Sequence, residues 1–261
     1  MKIFYFSYEN FKIYHMQYEE TSWYSSRVNR EMKIRIYGHY GVPILVFPCQ
    51  DKQSDDFSNN GMIDTLSWYI DNGKIKLYCV DSIDDITVSS TDWDKAHAAY
   101  MLEQYHQYII NEVLPFIYDK QKGYCLPYLL GLSMGASHSA NTFFRRPELF
   151  SGFLALSGNY DIASFFNGYM NNDVYNNSPV HYLTNMDYNH PYIDIYNQKK
   201  IIIVVGQGAW EHLVYYSNEW INNILNSKGI NAWVEFRDAN SYHDWSSWKS
   251  YIGYYLNYLI E

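Results

Sequence analysis

Short apolar segments recur along the chain and alternate with longer amphipathic segments. Four of them are only three to five residues long, which suits strands buried on both faces: 43–47, 128–130, 153–156 and 201–205. The amphipathic segments carry apolar residues at three- and four-residue steps, the period of a helix with one buried face. This alternation predicts an α/β fold with a mostly parallel sheet and helices on both of its faces. In such folds ligands bind at the carboxyl ends of the strands.

The first forty residues show a different pattern. Apolar residues alternate with charged ones at Met32, Ile34 and Ile36, and a similar alternation is found around Ile13. A two-residue period is typical of half-exposed antiparallel strands, so we expect an antiparallel entry to the sheet. One domain suffices for all 261 residues, because 48% of them are hydrophobic and can fill one sizeable core.

The remaining periodicity predicts two more strands and five helices. The strands are 75–80 and 232–236, and the helices are 57–71, about 92–113, 133–146, 211–226 and 245–259. Pro115 is expected to end or kink the second helix, because proline lacks the backbone N–H and its ring clashes with the preceding turn. Between Asn159 and Asn197 no period is sustained, which predicts an irregular excursion that forms a substrate cap.

Composition limits the possible partners. Nineteen Lys and Arg residues against 28 Asp and Glu give a net charge of −9, and no basic cluster is longer than a pair. A nucleic-acid partner is not expected, since a phosphate backbone requires a basic stripe. No stretch approaches the roughly 18 apolar residues that span a membrane, and the first sixteen residues lack the apolar run of a signal peptide. We therefore expect a cytoplasmic protein without a membrane span.

The segment LLGLSMGA at 129–136 is the most informative about chemistry. It contains a G-x-S-x-G motif directly after a predicted strand and at the start of a predicted helix. In that context the glycines permit a sharp turn that exposes the hydroxyl of Ser133. The helix behind it directs N–H groups and a positive dipole end at the site, which suits a developing oxyanion. These features favour a serine nucleophile over a structural turn.

A serine nucleophile needs a general base, which in such folds follows the serine and an acidic residue along the chain. Four histidines lie well beyond Ser133: His181, His190, His212 and His243. The first two lie in the irregular excursion, and the third begins a helix. His243 follows the last predicted strand and precedes the closing helix, where its side chain can reach over the sheet edge. Position therefore favours His243 as the base.

Several segments are similar to those of a known family when they are taken together. They are GVPILVFP at 41–48, GMID at 61–64, GLSMG at 131–135, SPVHYL at 178–183, and HDW at 243–245 with Trp248. They resemble the Putative esterase (esterase D-like) family of α/β-hydrolases, which includes S-formylglutathione hydrolase, feruloyl and acetyl-xylan esterases, enterochelin esterases and mycolyltransferases. The resemblance covers roughly residues 20 to 261. It implies a single α/β-hydrolase domain over 1–261 and serine ester hydrolysis, with acyl transfer as a variant.

The carboxylate that would orient His243 departs from the family pattern. Family members place an Asp a few residues after the strand equivalent to 201–205, and that position is Ala209 here. Glu211 is the first carboxylate after the strand, and its extra methylene would let it reach the base from two residues further on. In a structural interpretation, Glu211 is a charge in the first helical turn, where the helix dipole favours an anion. Asp238 is a second candidate for the acid, and a third hypothesis is that the site has no working acid.

The oxyanion hole departs from the pattern as well. One donor is expected to be the backbone N–H of Met134, the residue after the nucleophile. The second is expected from the loop after the first apolar segment, where relatives are glycine-rich and this chain reads PCQDKQ, so Cys49 or Gln50 would donate. Three nearby carboxylates would oppose an oxyanion if they pointed inward, and we expect them to be solvated or to favour a cationic or polyhydroxylated substrate: Asp51, Asp55 and Asp56.

The sequence contains no motif for a cofactor or a metal. It has no H-E-x-x-H pair, no Walker loop and no G-x-G-x-x-G. The expected partner is a small-molecule ester with a short acyl group or a sugar alcohol, and formation of a homo-oligomer is left open. Two further hypotheses stand beside that of a hydrolase. A non-catalytic binding protein on the same fold would explain Ala209 and the glycine-poor loop, and an acyltransferase would differ only in the nucleophile that removes the acyl group.

Overall fold

The computed structural model describes residues 16–92 and 94–261, so the strand expected around Ile13 lies outside the described residues. Within these ranges eight strands form one sheet, in the order β1-β2-β4-β3-β5-β6-β7-β8. The strands are β1 (Tyr18–Ser25), β2 (Arg30–Tyr37), β3 (Val42–Phe47), β4 (Ile75–Val80), β5 (Tyr128–Leu132), β6 (Gly152–Leu156), β7 (Lys200–Val205) and β8 (Trp233–Phe236). This order places β3 and β5 at the centre of the sheet.

The strand directions follow the pattern of the sequence. Strand β1 pairs antiparallel with β2, and β2 pairs antiparallel with β4. Every pairing from β4 through β3, β5, β6 and β7 to β8 is parallel. Side chains of β2 alternate between buried and half-buried, whereas β5, β6 and β7 are buried almost throughout. The prediction of a mostly parallel sheet with an antiparallel N-terminal entry is confirmed.

Helices cover both faces of the sheet. They are α1 (Asp56–Asn59), α2 (Met62–Thr65), α3 (Ser67–Asp71), α4 (Lys95–Tyr108), α5 (Leu114–Lys120), α6 (Met134–Arg145), α7 (Asn172–Asn176), α8 (Pro179–Asn185), α9 (Pro191–Tyr196), α10 (His212–Ser227) and α11 (Trp245–Ile260). Alternate residues of β3 belong to different apolar clusters: Phe47 belongs to the cluster that contains Phe143 of α6, and Val46 to the cluster that contains Ile252 of α11. Burying an aliphatic or aromatic side chain of this size contributes about 1.5–3 kcal/mol. The two layers hold the carboxyl ends of the strands in a fixed frame.

The segment predicted as one helix over 57–71 consists of three short helices instead. Gly61, between α1 and α2, has a left-handed backbone with φ 70°, which interrupts the helical hydrogen bonding. The expected apolar face is still buried, because Met62, Leu66 and Ile70 have no exposed surface. Periodicity therefore identified the buried residues correctly and the continuity of the helix incorrectly.

Pro115 does not end the helix in which it lies. A π-helical turn over Ile109–Val113 connects α4 to α5, and the helical path continues to Lys120. A π turn shifts the hydrogen-bond register by one residue, so the missing N–H and the bulk of the proline ring can be accommodated. Of the two expectations for Pro115, an end of the helix is wrong, and the helical path is altered by the π turn just before it instead.

The segment 159–197 is more regular than the sequence suggests. It contains a 3₁₀ turn over Ile162–Phe166 and the helices α7, α8 and α9. Two of these helices begin with a proline, Pro179 and Pro191, whose missing N–H costs nothing in a first turn. Helices of five to seven residues are too short to produce a visible period. Their apolar side chains, such as Val180 and Tyr196, are buried.

Among the described helices, none combines the length and the apolar character needed to cross a membrane.

Candidate active site

Ser133 lies at the turn between β5 and α6. Its backbone has φ 53° and ψ −123°, a conformation that is unfavourable for a residue with a Cβ. The neighbouring structure maintains it: the Ser133 N–H donates to the carbonyl of Leu156 at 2.9 Å, and its own carbonyl accepts from the Ala136 N–H at 3.0 Å. The side chain thus projects from a tight strand–helix turn at the carboxyl edge of the sheet, as in a nucleophile elbow.

Both glycines of the G-x-S-x-G motif are required by close backbone contacts. A Cβ on Gly131 would collide with the carbonyl of Gly135. A Cβ on Gly135 would come within 2.6 Å of the Pro48 carbonyl oxygen and closer still to that of Phe47. The absence of both side chains lets the first turn of α6 pack directly on the end of β3. This contact brings the loop after β3 next to the Ser133 turn.

His243 lies in the loop between β8 and α11, with its Nε2 atom 2.9 Å from Ser133 Oγ. The His243 N–H donates to the carbonyl of Ala209 at 3.0 Å, which ties this loop to the segment after β7. The ring of Trp248 packs edge-on against the imidazole, with the centroids 5.1 Å apart. The structure therefore brings together the two residues that the sequence predicts as nucleophile and base.

Glu211 is completely buried, and its Oε2 atom lies 3.5 Å from His243 Nδ1. This separation is an ion-pair distance, and within the described residues neither atom has a hydrogen bond. Glu211 precedes α10, but its side chain makes no capping bond to that helix. Glu211 thus lies at the start of α10, as the structural interpretation has it, but its carboxylate is buried behind the imidazole.

The remaining sequence candidates for acid and base lie elsewhere. Asp238 is exposed, and its carboxylate accepts a hydrogen bond from a backbone N–H of its own turn at 3.0 Å. His181 contacts a serine hydroxyl at 2.8 Å, and His190 accepts a hydrogen bond from the first turn of α9. His212 is the first residue of α10 and is exposed. The structure places none of these four side chains against Ser133.

One further residue, Ser157, contacts the candidate acid, and a second, Trp248, contacts Ser157; sequence reasoning did not assign either a role. Ser157 Oγ donates to Glu211 Oε1 at 2.5 Å, and Trp248 Nε1 donates to Ser157 Oγ at 2.9 Å. A signal for Ser157 was present, since it directly follows the apolar segment that forms β6, at a strand end where functional residues are expected. In the sequence, Trp248 is distinguished only by the family resemblance.

The two expected sources of oxyanion donors are next to each other. Met134 is the first residue of α6, and its N–H has no acceptor among the described residues. In the loop after β3 the Cys49 N–H is committed elsewhere, because it donates to Asp56 Oδ2 at 2.8 Å. The Gln50 N–H has no acceptor in the described part of the chain, and Gln50 lines the same cavity as Met134 and Ser133. Of the two loop residues proposed as donor, the geometry favours Gln50.

The three carboxylates of this loop are turned away from Ser133. Asp55 pairs with Arg35 at 2.9 Å, and Asp51 accepts from the Ser89 hydroxyl at 2.9 Å. Asp56 is buried, in contrast to the expected solvation, and burial raises the pKa of its carboxyl despite the hydrogen bond from the Cys49 amide. None of the three lines the cavity at Ser133, so they do not place a charge beside the expected oxyanion.

A cavity of about 330 Å³ lies directly over Ser133. Its walls combine apolar side chains, Phe165, Leu213 and Val214, with the polar side chains of Gln50, Asn159 and Ser164 and with the residues already described. The excursion 159–197 supplies part of one wall, and the start of α10 supplies another. A cavity of this volume is at the small end of ligand sites, which suits a compact substrate.

No group of three or more His, Cys, Asp or Glu side chains in the described ranges is arranged to hold a metal ion. Burial, reinforced by the Asp56 charge, raises the pKa of the Cys49 thiol well above its usual value. The thiol beside the site is therefore protonated near neutral pH and is a poor nucleophile. Ser133, His243, Met134 and Gln50 line the cavity and bring to it a hydroxyl, an imidazole and two backbone N–H groups without a described acceptor.

Comparison with known proteins gives one family match. The family model described as Putative esterase matches residues 25–253. A search of curated proteins finds no match to this sequence.

Solved structures with the same fold are numerous and distant in sequence. A ferulic acid esterase superimposes with a TM-score of 0.73 at 15% identity, covering 94% of this chain and 98% of its own. An S-formylglutathione hydrolase of Agrobacterium tumefaciens gives a TM-score of 0.70 at 12% identity, covering 95% of this chain and 96% of its own. A fluorophosphonate-binding serine hydrolase of Staphylococcus aureus gives 0.61 at 13% identity, covering 94% and 99%. At these identities the likeness establishes the α/β-hydrolase fold.

Proposed function

Because the chain belongs to the Putative esterase family, we propose that it is a carboxylic-ester hydrolase that works through an acyl-enzyme on Ser133. The observation that carries the proposal is the 2.9 Å contact between Ser133 Oγ and His243 Nε2 at a strained strand–helix turn. The open Met134 N–H beside the serine and the buried carboxylate behind the histidine support it. Each of these groups has a separate role in ester hydrolysis.

The first half of the reaction forms the acyl-enzyme. Ser133 Oγ attacks the ester carbonyl carbon while His243 Nε2 accepts the hydroxyl proton. The carbonyl oxygen becomes an oxyanion that accepts hydrogen bonds from the N–H groups of Met134 and Gln50. When the intermediate collapses, His243 returns the proton to the leaving alkoxide, and the alcohol departs. Glu211 stabilises the imidazolium that exists between these two steps.

The second half repeats the same steps with water. His243 accepts a proton from a water molecule, and the resulting hydroxide attacks the acyl carbon. A second oxyanion forms in the same hole, and its collapse releases the carboxylic acid and returns the proton to Ser133. One ester and one water thus give one acid and one alcohol, and the enzyme is regenerated. An acyltransferase would differ only by admitting an alcohol in place of this water.

The cavity supports a proposal for the substrate class. The volume of about 330 Å³ and the apolar side chains of Phe165, Leu213 and Val214 suit a short acyl group. Asn159 and Ser164 line the same cavity and offer amide and hydroxyl groups to a polar alcohol such as a sugar. We therefore propose short-chain acyl or sugar-linked esters as substrates. The cytoplasmic location remains a prediction of the sequence.

A weakly active or non-catalytic binding protein is the second candidate. The observation in its favour is the 3.5 Å gap between Glu211 Oε2 and His243 Nδ1, which is longer than a hydrogen bond. A serine–histidine pair without its acid retains some turnover, so this gap alone predicts a slow enzyme before it predicts an inactive one. Catalytic hydrogen bonds are also often long without substrate and tighten in the complex.

Hydrolysis of p-nitrophenyl acetate, butyrate and octanoate tests the proposal. We expect Ser133→Ala to reduce kcat by at least about 10⁴-fold on the two short esters. Ser227→Ala, which removes an exposed hydroxyl at the end of α10 outside the cavity, is the matched control and should keep kcat within about threefold. A Ser133→Ala variant as active as wild type would reject the nucleophile, and equal kcat/KM for octanoate and acetate would reject the short acyl group. Adding sugar alcohols and measuring ester products distinguishes transfer from hydrolysis.

A further inference from the structure

Ser157 occupies an unusual position for a serine. It is the first residue after β6, has no exposed surface, and has a left-handed backbone with φ 59°. Its N–H donates to the carbonyl of Val204 at 2.7 Å, so the sheet hydrogen bonding holds it in this conformation. Ser133 occupies the equivalent place on the neighbouring strand, with φ 53°. A residue other than glycine in this conformation costs free energy, and its side chain must offset that cost.

The hydroxyl of Ser157 connects the closing helix to the candidate acid. The indole N–H of Trp248 donates to Ser157 Oγ at 2.9 Å, and Ser157 Oγ donates to Glu211 Oε1 at 2.5 Å. A serine hydroxyl has one proton to donate. Because Trp248 can only donate, the Ser157 proton is directed to the carboxylate. The direction of this two-bond chain is therefore fixed by the chemistry of the groups.

Glu211 depends on this bond for its orientation. In the described part of the chain, Ser157 Oγ is the one hydrogen-bond donor to its carboxylate, and Oε2 faces His243. Burial first, and then the Glu211 charge, raise the pKa of the nearby phenols Tyr160 and Tyr251. Both phenols are therefore protonated, but within the described ranges neither hydroxyl has a hydrogen-bond partner. Within the described residues, the bond from Ser157 is therefore the one hydrogen bond that orients the buried carboxylate.

We propose that Ser157, oriented by Trp248, is a positioning residue that fixes the Glu211 carboxylate behind His243. This inference rests on the ester hydrolysis proposed above. A glutamate has one more rotatable bond than the aspartate found at Ala209 in the family pattern, so it needs an additional fixed contact to hold one geometry. Trp248 contributes twice, because its ring also packs against the imidazole at 5.1 Å.

Ser157→Gly and Trp248→Phe test the inference. Glycine adopts φ 59° without strain, so Ser157→Gly removes the hydroxyl while the backbone is relieved. Phenylalanine keeps a ring against His243 and removes the N–H donor. The matched controls are Ser139→Ala, a buried serine whose hydroxyl has no partner in the described chain, and Trp233→Phe, an indole that packs against α11 without contacting Ser157.

We expect kcat on p-nitrophenyl acetate to fall about 10- to 100-fold in Ser157→Gly and in Trp248→Phe, because a misplaced catalytic group slows the reaction by about this factor. KM should stay within about threefold of wild type. The melting temperature of Ser157→Gly should stay within about 4 °C of wild type, because relieved strain offsets the lost bond. Both controls should retain kcat. The proton NMR resonance of the His243 imidazole N–H that faces Glu211 should broaden or shift in Ser157→Gly and stay in Ser139→Ala.

A double variant shows whether Ser157 acts through Glu211. In Glu211→Gln the charge is already lost, so adding Ser157→Gly should reduce kcat by no more than about twofold further. Full additivity of the two losses would overturn the inference, as would a Ser157→Gly enzyme with wild-type kcat. Failure of the proposed function is recognised separately, because in that case Ser133→Ala would not reduce turnover at all.

Discussion

Replacing Glu211 by glutamine tests the assignment of the triad acid with the least structural change. Glutamine has the same length and shape as glutamate, and its carbonyl oxygen can still accept the hydrogen bond from Ser157. The substitution removes the negative charge that lies 3.5 Å from His243 Nδ1. Since Glu211 is completely buried, water does not replace the lost interaction. The expected effect is therefore confined to the state in which His243 is charged.

The magnitude follows from the distance. Two unit charges 3.5 Å apart attract by about 5 kcal/mol at an effective dielectric constant of about 20. Each 1.36 kcal/mol of lost transition-state stabilisation is about a tenfold loss of rate. We expect kcat to fall between about 10³- and 10⁴-fold, which agrees with the effect of removing the acid from serine hydrolase triads. KM should change little, because the imidazolium exists only after attack begins.

Single-turnover and steady-state hydrolysis of p-nitrophenyl acetate measure this loss. Ser133→Ala supplies the baseline, and Glu219→Gln, an exposed carboxylate on α10, is the matched control with an expected kcat within about twofold of wild type. A decrease of less than tenfold in Glu211→Gln would refute the reasoning. In that case His243 would work without help from a carboxylate, and the 3.5 Å separation between Glu211 and His243 would favour the weakly active protein as the second candidate.

Three other substitutions probe the frame of the site. Gly135→Ala places a Cβ within 2.6 Å of a carbonyl of the loop after β3 and should lower the melting temperature by about 5 °C or more, whereas Gly253→Ala on α11 should not. Asp56→Ala removes the partner of a loop amide and should cost about 1–3 kcal/mol in urea unfolding. Burial would raise the pKa of the Glu103 carboxyl, but hydrogen bonds from Arg145 outweigh burial and lower that pKa. Ionised Glu103 therefore stabilises the folded state at pH values above its unfolded pKa, and this stabilisation is lost as pH falls through its folded pKa. Glu103→Gln should flatten the acid side of a plot of unfolding free energy against pH.

The sequence predicts the sheet, and it predicts that Ser133 and His243 lie close together, for physical reasons. Strands that are buried on both faces produce short apolar runs in the sequence, and the close backbone contacts at Gly131 and Gly135 require glycine at both positions. Both features can therefore be recognised from the residue types alone. His243 was identified by its order in the chain and by the position of the last strand. These predictions depend on local pattern and on topology, which a single sequence contains.

Other features depend on contacts between residues far apart in the chain. The bond between Ser157 and Glu211 joins positions 54 residues apart, and the bond from Trp248 to Ser157 spans 91. The sequence could not show that the Cys49 amide is unavailable as an oxyanion donor, because its hydrogen bond to Asp56 depends on the fold of the loop and not on the loop's composition. The helix breaks near Gly61 and the π turn before Pro115 alter the backbone without altering the apolar period.

The carboxylate behind His243 lies two positions after Ala209, and this offset has a local cause in the backbone after β7. The carbonyl of Ala209, at the position of the family aspartate, accepts the His243 N–H at 3.0 Å and so supports the base through the backbone. The next residue, Trp210, has a left-handed φ of 68°, which reverses the direction of the chain for one residue. After this turn the Glu211 side chain is buried, whereas Ala209 and Trp210 are exposed. At this site the fold therefore keeps a carboxylate facing His243 Nδ1, and the left-handed turn at Trp210 together with the extra methylene of Glu211 allows a glutamate to supply it from a later position in the chain.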